Sequence, residues 1–233
     1  MRCLSCHTHF FDKMSWEFVF AQAFSSPICE QCSKKLEEIT GEICEKCGRP
    51  FAYLDPQFRD KNLCADCIKW DERGSALTKN RSLYVYNDFL QEVIAKWKYR
   101  GDAELVKIFT GPLQKCAKQL PIDLVVPIPL SEERLYERSF NQAKLLAEQL
   151  PYPLLEVLTR SENSSKQSKK SRKERLQTEE RFQMVPSFLY DVKNKSVLLV
   201  DDIYTTGATL HAAADVIKGN GATDIFSITV ARG

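Results

Sequence analysis

The run Val197–Leu210, VLLVDDIYTTGATL, leaves few folds open to this chain. Val197 to Val200 is apolar and β-branched-rich with no polar alternation, the pattern of a strand covered on both faces inside a parallel sheet. Asp201 and Asp202 follow at its C-terminal end, the edge where open α/β sheets bind ligands. Thr205, Thr206, Gly207, Ala208 and Thr209 then offer backbone N–H groups and hydroxyls, before Leu210, Ala213, Ala214 and Ile217 take up helical spacing. Phosphate at such a helix start meets unpaired donors and the positive end of the helix dipole. Gly207 allows a backbone conformation, or a close phosphate approach, that a side chain would obstruct. Adjacent acids alternate across a strand, but at its end they can accept from hydroxyls or hold a divalent cation. The run reads as a phosphate cradle beside two ribose-binding acids. A plain buried strand with Thr205 or Thr206 capping the next helix would use one hydroxyl and neither acid.

Eight of the nine cysteines form four Cys-x-x-Cys pairs: Cys3/Cys6, Cys29/Cys32, Cys44/Cys47 and Cys64/Cys67. Two thiolates three apart on a tight turn reach one metal, and two such turns complete a tetrahedral zinc site. Sixteen residues separate Cys47 from Cys64 and twenty-two separate Cys6 from Cys29, and Gly48 suits a knuckle turn. Sequential pairing makes two Cys₄ ribbons, and this spacing favours it; alternating pairing makes a cross-brace. Four thiolates leave no open position, so two structural rather than catalytic Zn²⁺ ions are expected. No export signal supports a disulfide reading. His7 and His9 read as surface residues, and Cys116, within Leu113, Cys116, Ala117 and Leu120, as a small core residue.

At 233 residues, 43% hydrophobic and 27% charged, the chain is long enough for one sizeable core and an appendage. Its apolar runs are too short to span a bilayer, so a cytoplasmic location is expected. The polar stretch KWDERGSALTKNRS places a boundary near residue 75, giving a cysteine module over 1–75 and a second domain over 76–233. Beyond it, strands are expected at Ser82–Tyr86, Asp123–Ile128, Leu154–Leu158 and Asp224–Val230. Helices are expected at Phe89–Trp97, at Ala103–Gln119 with an interruption at Pro112, and at Phe140–Leu150. Strands alternating with helices imply an α/β fold with a mostly parallel sheet.

The DD/TTGAT loop resembles the phosphoribosyl-pyrophosphate (PRPP) loop of type I phosphoribosyltransferases. That resemblance implies Asp201 and Asp202 on the ribose hydroxyls, Thr205 to Thr209 around the 5′-phosphate, and Mg²⁺ with the ligand. DLVVPIPLSEERLYERSFNQAKLLAEQL (Asp123–Leu150), WKYRGD (Trp97–Asp102) and KQSKKSRKERL (Lys166–Leu176) extend the likeness. With the four knuckles, they are similar to the ComF/ComFC family of competence proteins, which join a cysteine module to a phosphoribosyltransferase-like domain with a mobile hood. Ser139 stands where the family usually has Gly, and LQTEERF (Leu176–Phe182) differs from its common LENVKGAF. The resemblance implies a cytoplasmic factor of DNA uptake in natural transformation that handles incoming single-stranded DNA. Its implied partners are the helicase-like ATPase ComFA and the membrane-associated import apparatus, which would bring it to the inner face of the membrane.

Arg134 and Arg138 share a helical face and suit a pyrophosphate, or else pair with Glu132, Glu133 and Glu137. Lys166, Lys169, Lys170, Arg172, Lys173 and Arg175 put six positive charges within ten residues. They suit closure over pyrophosphate or attraction of a DNA backbone, with Lys169, Lys170, Arg172 and Lys173 as candidate DNA contacts, or a solvated loop. Trp97 fits either base stacking or its helix's apolar stripe. The first 75 residues hold 10 Lys and Arg against 12 Asp and Glu, net −2; two Cys₄ zinc sites at −2 each bring this to about −6. Such a module suits protein docking better than phosphate. The other reading is a working phosphoribosyltransferase that uses PRPP and Mg²⁺ on an unidentified nitrogen acceptor. An intact loop does not choose between binding and turnover.

Overall fold

A computed structural model describes residues 1–11, 26–160 and 182–233. The basic run from Lys166 to Arg175 lies outside the described residues, as do the four candidate DNA contacts within it. From the N-terminus the described elements are short: helix α1 (Glu30–Ser33), a hairpin of β1 (Arg59–Asp60) and β2 (Leu63–Cys64), and helix α2 (Ala65–Glu72). Then come β3 (Lys79–Val85), α3 (Asp88–Tyr99), α4 (Lys107–Ala117), β4 (Leu124–Pro127), α5 (Glu132–Arg138) and α6 (Gln142–Ala147). The C-terminal part adds β5 (Leu158–Arg160), β6 (Phe182–Met184), β7 (Val197–Tyr204), α7 (Ala208–Gly219) and β8 (Ile225–Arg232).

Strands β3, β8, β7 and β4 lie side by side in that order, all parallel. The period-2 geometry of β7 divides the core. Leu198 and Val200 face a cluster containing Trp97, Phe109, Leu146 and Ile228, whereas Val197 and Leu199 face Leu210, Ala213, Ala214 and Ile217 of α7. Both faces are covered, which explains the unbroken apolar run. Trp97 is fully buried, its ring 5.7 Å from that of Phe109, so it packs the core and does not stack bases. Cys116 packs partly buried against the same cluster. No described helix is long and apolar enough to cross a membrane.

Four elements differ from expectation. Strand β3 begins at Lys79 rather than Ser82, because buried Asn80 joins the sheet's polar interior: its Oδ1 accepts from Ser227 Oγ at 2.8 Å and its Nδ2 donates to Cys47 O at 3.0 Å. The helix expected from Ala103 to Gln119 is a 3₁₀ turn, Ala103–Val106, followed by α4, which carries Pro112 inside it. Buried Ile108, Phe109, Leu113 and Ala117 hold α4 through the missing N–H. The strand expected at Leu154–Leu158 touches β4 at one bridge, Leu154 to Val125, and then turns to pair Leu158–Arg160 antiparallel with β6. Strand β7 runs beyond Val200 through both acids to Tyr204, with Asp201 in register with Thr229 and Tyr204 with Arg232.

Candidate ligand cleft and metal centres

The cleft forms where the sequence places it, at the carboxyl ends of the central strands. Asp201, Asp202, Ile203 and Thr209 line it from β7 and α7, Ile128 and Pro129 from the end of β4, and Arg134, Arg138, Asn141 and Gln142 from α5 and α6. Its volume is about 160 Å³. Expected and unexpected residues thus meet: both acids, Thr209 and both arginines share one cavity with Lys98 of α3 and Arg160 of β5. Four cationic side chains surround two carboxylates, and an excess of positive charge in a concave site selects anions. Lys98 was legible only as part of WKYRGD, and Arg160 had no local signal; the sheet topology brings them in.

Asp202 makes an ion pair with Lys98, and both side chains are largely buried, at 13% and 14% exposure. Asp201 Oδ1 accepts from the backbone N–H of Asp202 at 2.9 Å. That bond draws the first carboxylate along the strand, so two acids of opposite pleat both line the cleft. Arg138 Nη1 donates to Gln142 Oε1 at 3.3 Å, and its guanidinium lies 5.8 Å from the Tyr99 ring centroid. Buried Nε of Arg138 and Nε2 of Gln142 have no hydrogen-bond partner among the described residues.

Local chemistry sets each element that presents these groups. Ser131 caps α5 by accepting from Arg134 N, and α5 ends at Ser139 in the left-handed region, φ 65°. This is a position that favours glycine, consistent with the Gly usual there. Asn141 caps α6, accepting from Ala143 N at 2.9 Å and donating to Ile128 O at 2.9 Å, so it also fixes the loop over the end of β4. Gln142, the buried first residue of α6, is the partner of Arg138.

In the turn from β7 to α7, Thr205, Thr206 and Ala208 are exposed and Gly207 has φ 83°. A Cβ on Gly207 would lie 2.2 Å from Tyr204 Oη and 2.9 Å from His211 Cδ2. The glycine is therefore required by the wall behind it as well as by its dihedral. Thr206 Oγ1 accepts from Ala208 N at 3.4 Å. His211 is buried in the first turn of α7, its ring nitrogens facing Ser75 Oγ and, at 3.1 Å, Tyr204 Oη. Burial pushes its pKa down to about 4, so the ring is neutral near pH 7.

The eight paired cysteines assemble in sequential order: Cys3, Cys6, Cys29 and Cys32 form one quartet, Cys44, Cys47, Cys64 and Cys67 the other. Within each quartet the sulfurs lie within 4.8 Å of one another, with Cys6 to Cys29 at 3.7 Å and Cys47 to Cys64 at 3.6 Å. Zn–S bonds of about 2.3 Å in a tetrahedron need sulfurs roughly 3.8 Å apart, so both quartets fit structural zinc. The two are built alike. His7 N donates to Cys3 O and Gly48 N to Cys44 O, both at 2.9 Å, with His7 at φ 63° and Gly48 at φ 71°. The later pair of each begins a helix, Cys29 before α1 and Cys64 before α2. His7 is exposed, and its role is the knuckle's backbone turn. A hydrogen bond with Thr8 is the main cause that lowers the exposed Cys6 thiol to about 6, favouring the thiolate a metal binds.

Residues 1–68 match the family described as a double zinc ribbon domain, and residues 136–233 match the phosphoribosyl transferase domain. Competence protein ComFC of Bacillus subtilis (strain 168) is 39% identical over 242 residues, covering 99% of this chain and 94% of that protein. Competence protein ComFC of Streptococcus pneumoniae (strain ATCC BAA-255 / R6) is 30% identical over 235 residues, covering 100% of both. DNA utilization protein YhgH of Escherichia coli (strain K12) is 26% identical over 211 residues, covering 84% of this chain and 86% of that protein. Two Cys₄ quartets, a parallel sheet ending in a cleft lined by paired acids, and this full-length identity agree: the chain belongs to the ComFC family of competence proteins, with a type I phosphoribosyltransferase-like domain behind a double zinc ribbon.

Proposed function

We propose that this chain is a factor of DNA uptake in natural transformation that handles incoming single-stranded DNA and carries a PRPP-type pocket. The supporting observation is the cleft, in which Lys98, Arg134, Arg138 and Arg160 surround Asp201 and Asp202 beside the turn Thr205–Thr209. A ligand with a ribose diol, a 5′-phosphate and a pyrophosphate matches that set. The acids take the hydroxyls or Mg²⁺, the turn takes the phosphate, and Arg134 and Arg138 neutralise the pyrophosphate. Relatives named for competence and DNA utilization support the cellular role. Lys169, Lys170, Arg172 and Lys173 supply the DNA backbone contacts in this reading. The zinc module, at about −6 with two metals bound, docks ComFA and the import apparatus on the cytoplasmic side of the membrane.

Thermal shift tests both parts on the full chain, with PRPP and Mg²⁺ and with single-stranded oligonucleotides bearing or lacking a 5′-phosphate. PRPP at a hundredfold its Kd adds about 2.7 kcal/mol of stability to the native chain, and Asp201→Asn/Asp202→Asn abolishes the effect. Oligonucleotide affinity falls with salt and falls further when Lys169, Lys170, Arg172 and Lys173 become Glu. Unaltered affinity in that variant removes the DNA assignment, and no PRPP shift removes the pocket assignment. Release of pyrophosphate with a nitrogen acceptor present would make the chain a transferase.

A further inference from the structure

The turn from β7 to α7 is held from behind by two residues that tie it to the second cysteine quartet. Arg232, the buried last residue of β8, donates Nη1 to Thr205 O at 2.9 Å and to Tyr204 O at 3.2 Å, and its Nη2 lies 3.7 Å from Cys47 Sγ. Trp70 donates Nε1 to Thr206 O at 3.1 Å. Its ring stacks on His211 with centroids 4.0 Å apart and 12° between planes. Trp70 stands three residues after Cys67 on α2, one turn along the same face, and Cys64 is the N-cap of that helix. A metal gripping Cys64 and Cys67 therefore fixes the helix that positions the indole.

The direction of these bonds matters. In a trans peptide the C=O and the following N–H point opposite ways. With Thr205 O and Thr206 O drawn toward Arg232 and Trp70, the N–H groups of Thr206 and Gly207 point away from the ribbon. Those are two of the donors that a phosphate at this turn would use. The first quartet lies elsewhere: Leu4 and Phe10 pack beside the α3 cluster, and Lys96 Nζ of α3 donates to Ser5 O at 3.4 Å.

We propose that Trp70 and Arg232 are positioning residues that make the second zinc ribbon the support of the phosphate loop, so that filling this quartet with metal sets the loop's affinity for its ligand. Ligand affinity is then coupled to the metal and thiol state of Cys44, Cys47, Cys64 and Cys67. The proposal rests on the reading of Thr205–Thr209 as a phosphate loop.

The test measures hydrogen–deuterium exchange of the Thr205–His211 amides and calorimetric binding of PRPP with Mg²⁺ on the full, zinc-loaded chain. Trp70→Ala is expected to keep two zincs, speed exchange at the His211 amide, which donates to Gly207 O across the turn, roughly tenfold and weaken PRPP about tenfold. Trp70→Phe keeps the stack on His211 but lacks the N–H. It is expected to keep the native melting temperature within a few degrees while still speeding exchange at the His211 amide, and it carries the test if Trp70→Ala does not fold. Two bound zincs with native exchange and native affinity in Trp70→Ala, or native exchange in Trp70→Phe, would overturn the proposal. A native chain that binds no PRPP would sink the phosphate-loop reading alone, since the exchange data still decide whether Trp70 orders the turn.

Discussion

Lys98 and Asp202 are the pair on which the cleft's electrostatics turn. Each is largely withdrawn from solvent, so removing one charge leaves the other poorly hydrated and unpaired. Lys98→Met is expected to cost about 2 kcal/mol in urea unfolding, less than for a fully buried pair because some water contact survives. In the double variant Lys98→Met/Asp202→Asn the loss should be smaller than the sum of the single losses by about 1 kcal/mol. Strict additivity would show that the two side chains do not sense each other. In the proposed function the same pair bears on ligand binding, because a cation or diol would have to take Asp202 from an internal partner.

At the scale of elements, α7 joins the turn to the core through His211. Its folded pKa of about 4 lies below the ordinary 6.5, so the unfolded chain binds the extra proton first. Stability is therefore full above pH 6.5 and is lost as pH falls from 6.5 toward 4, by up to about 3 kcal/mol from this residue. His211→Gln, compared with the native chain in urea melts between pH 7.5 and 4.5, should flatten that slope. Equal slopes in the two proteins would mean that the buried imidazole is not the source. Strand β7 shows a related point: an eight-residue strand carries apolar core residues in its first half and site residues in its second, so one register sets both.

For the molecule as a whole, the two quartets carry much of the N-terminal fold, since the described elements there are a hairpin with two-residue strands, two short helices and two 3₁₀ turns. Protein purified without chelator should hold two zincs per chain by elemental analysis. Cys44→Ser should hold one and melt about 10 °C lower, the shift expected for a loss of about 3 kcal/mol in a chain of this size. One zinc in the native chain would overturn the assignment of two complete sites.

Several features are legible in the sequence because local chemistry dictates them. Cysteines three apart can converge on one metal only through a tight turn, and a run such as Val197–Val200 has no solvent face to offer. Gly207 and the hydroxyls around it mark a turn that opens a helix. Trp97 lay between two readings because a helical stripe and a stacking surface share the same spacing, and only the packing of α3 on Phe109 settled it. Arg160, Trp70 and Arg232 gave no such signal. Each acts on a partner far away in sequence, and no local periodicity encodes which strands become neighbours. Local spacing encodes the four cysteine knuckles, the parallel core strand and the acids and hydroxyls that follow it, since each depends on contacts within a few residues. The fold settles which knuckles share a metal and what surrounds the acids: four cations in front of them, and a zinc ribbon behind the turn. Those neighbours come from the order of strands in the sheet and from the docking of α2 on α7.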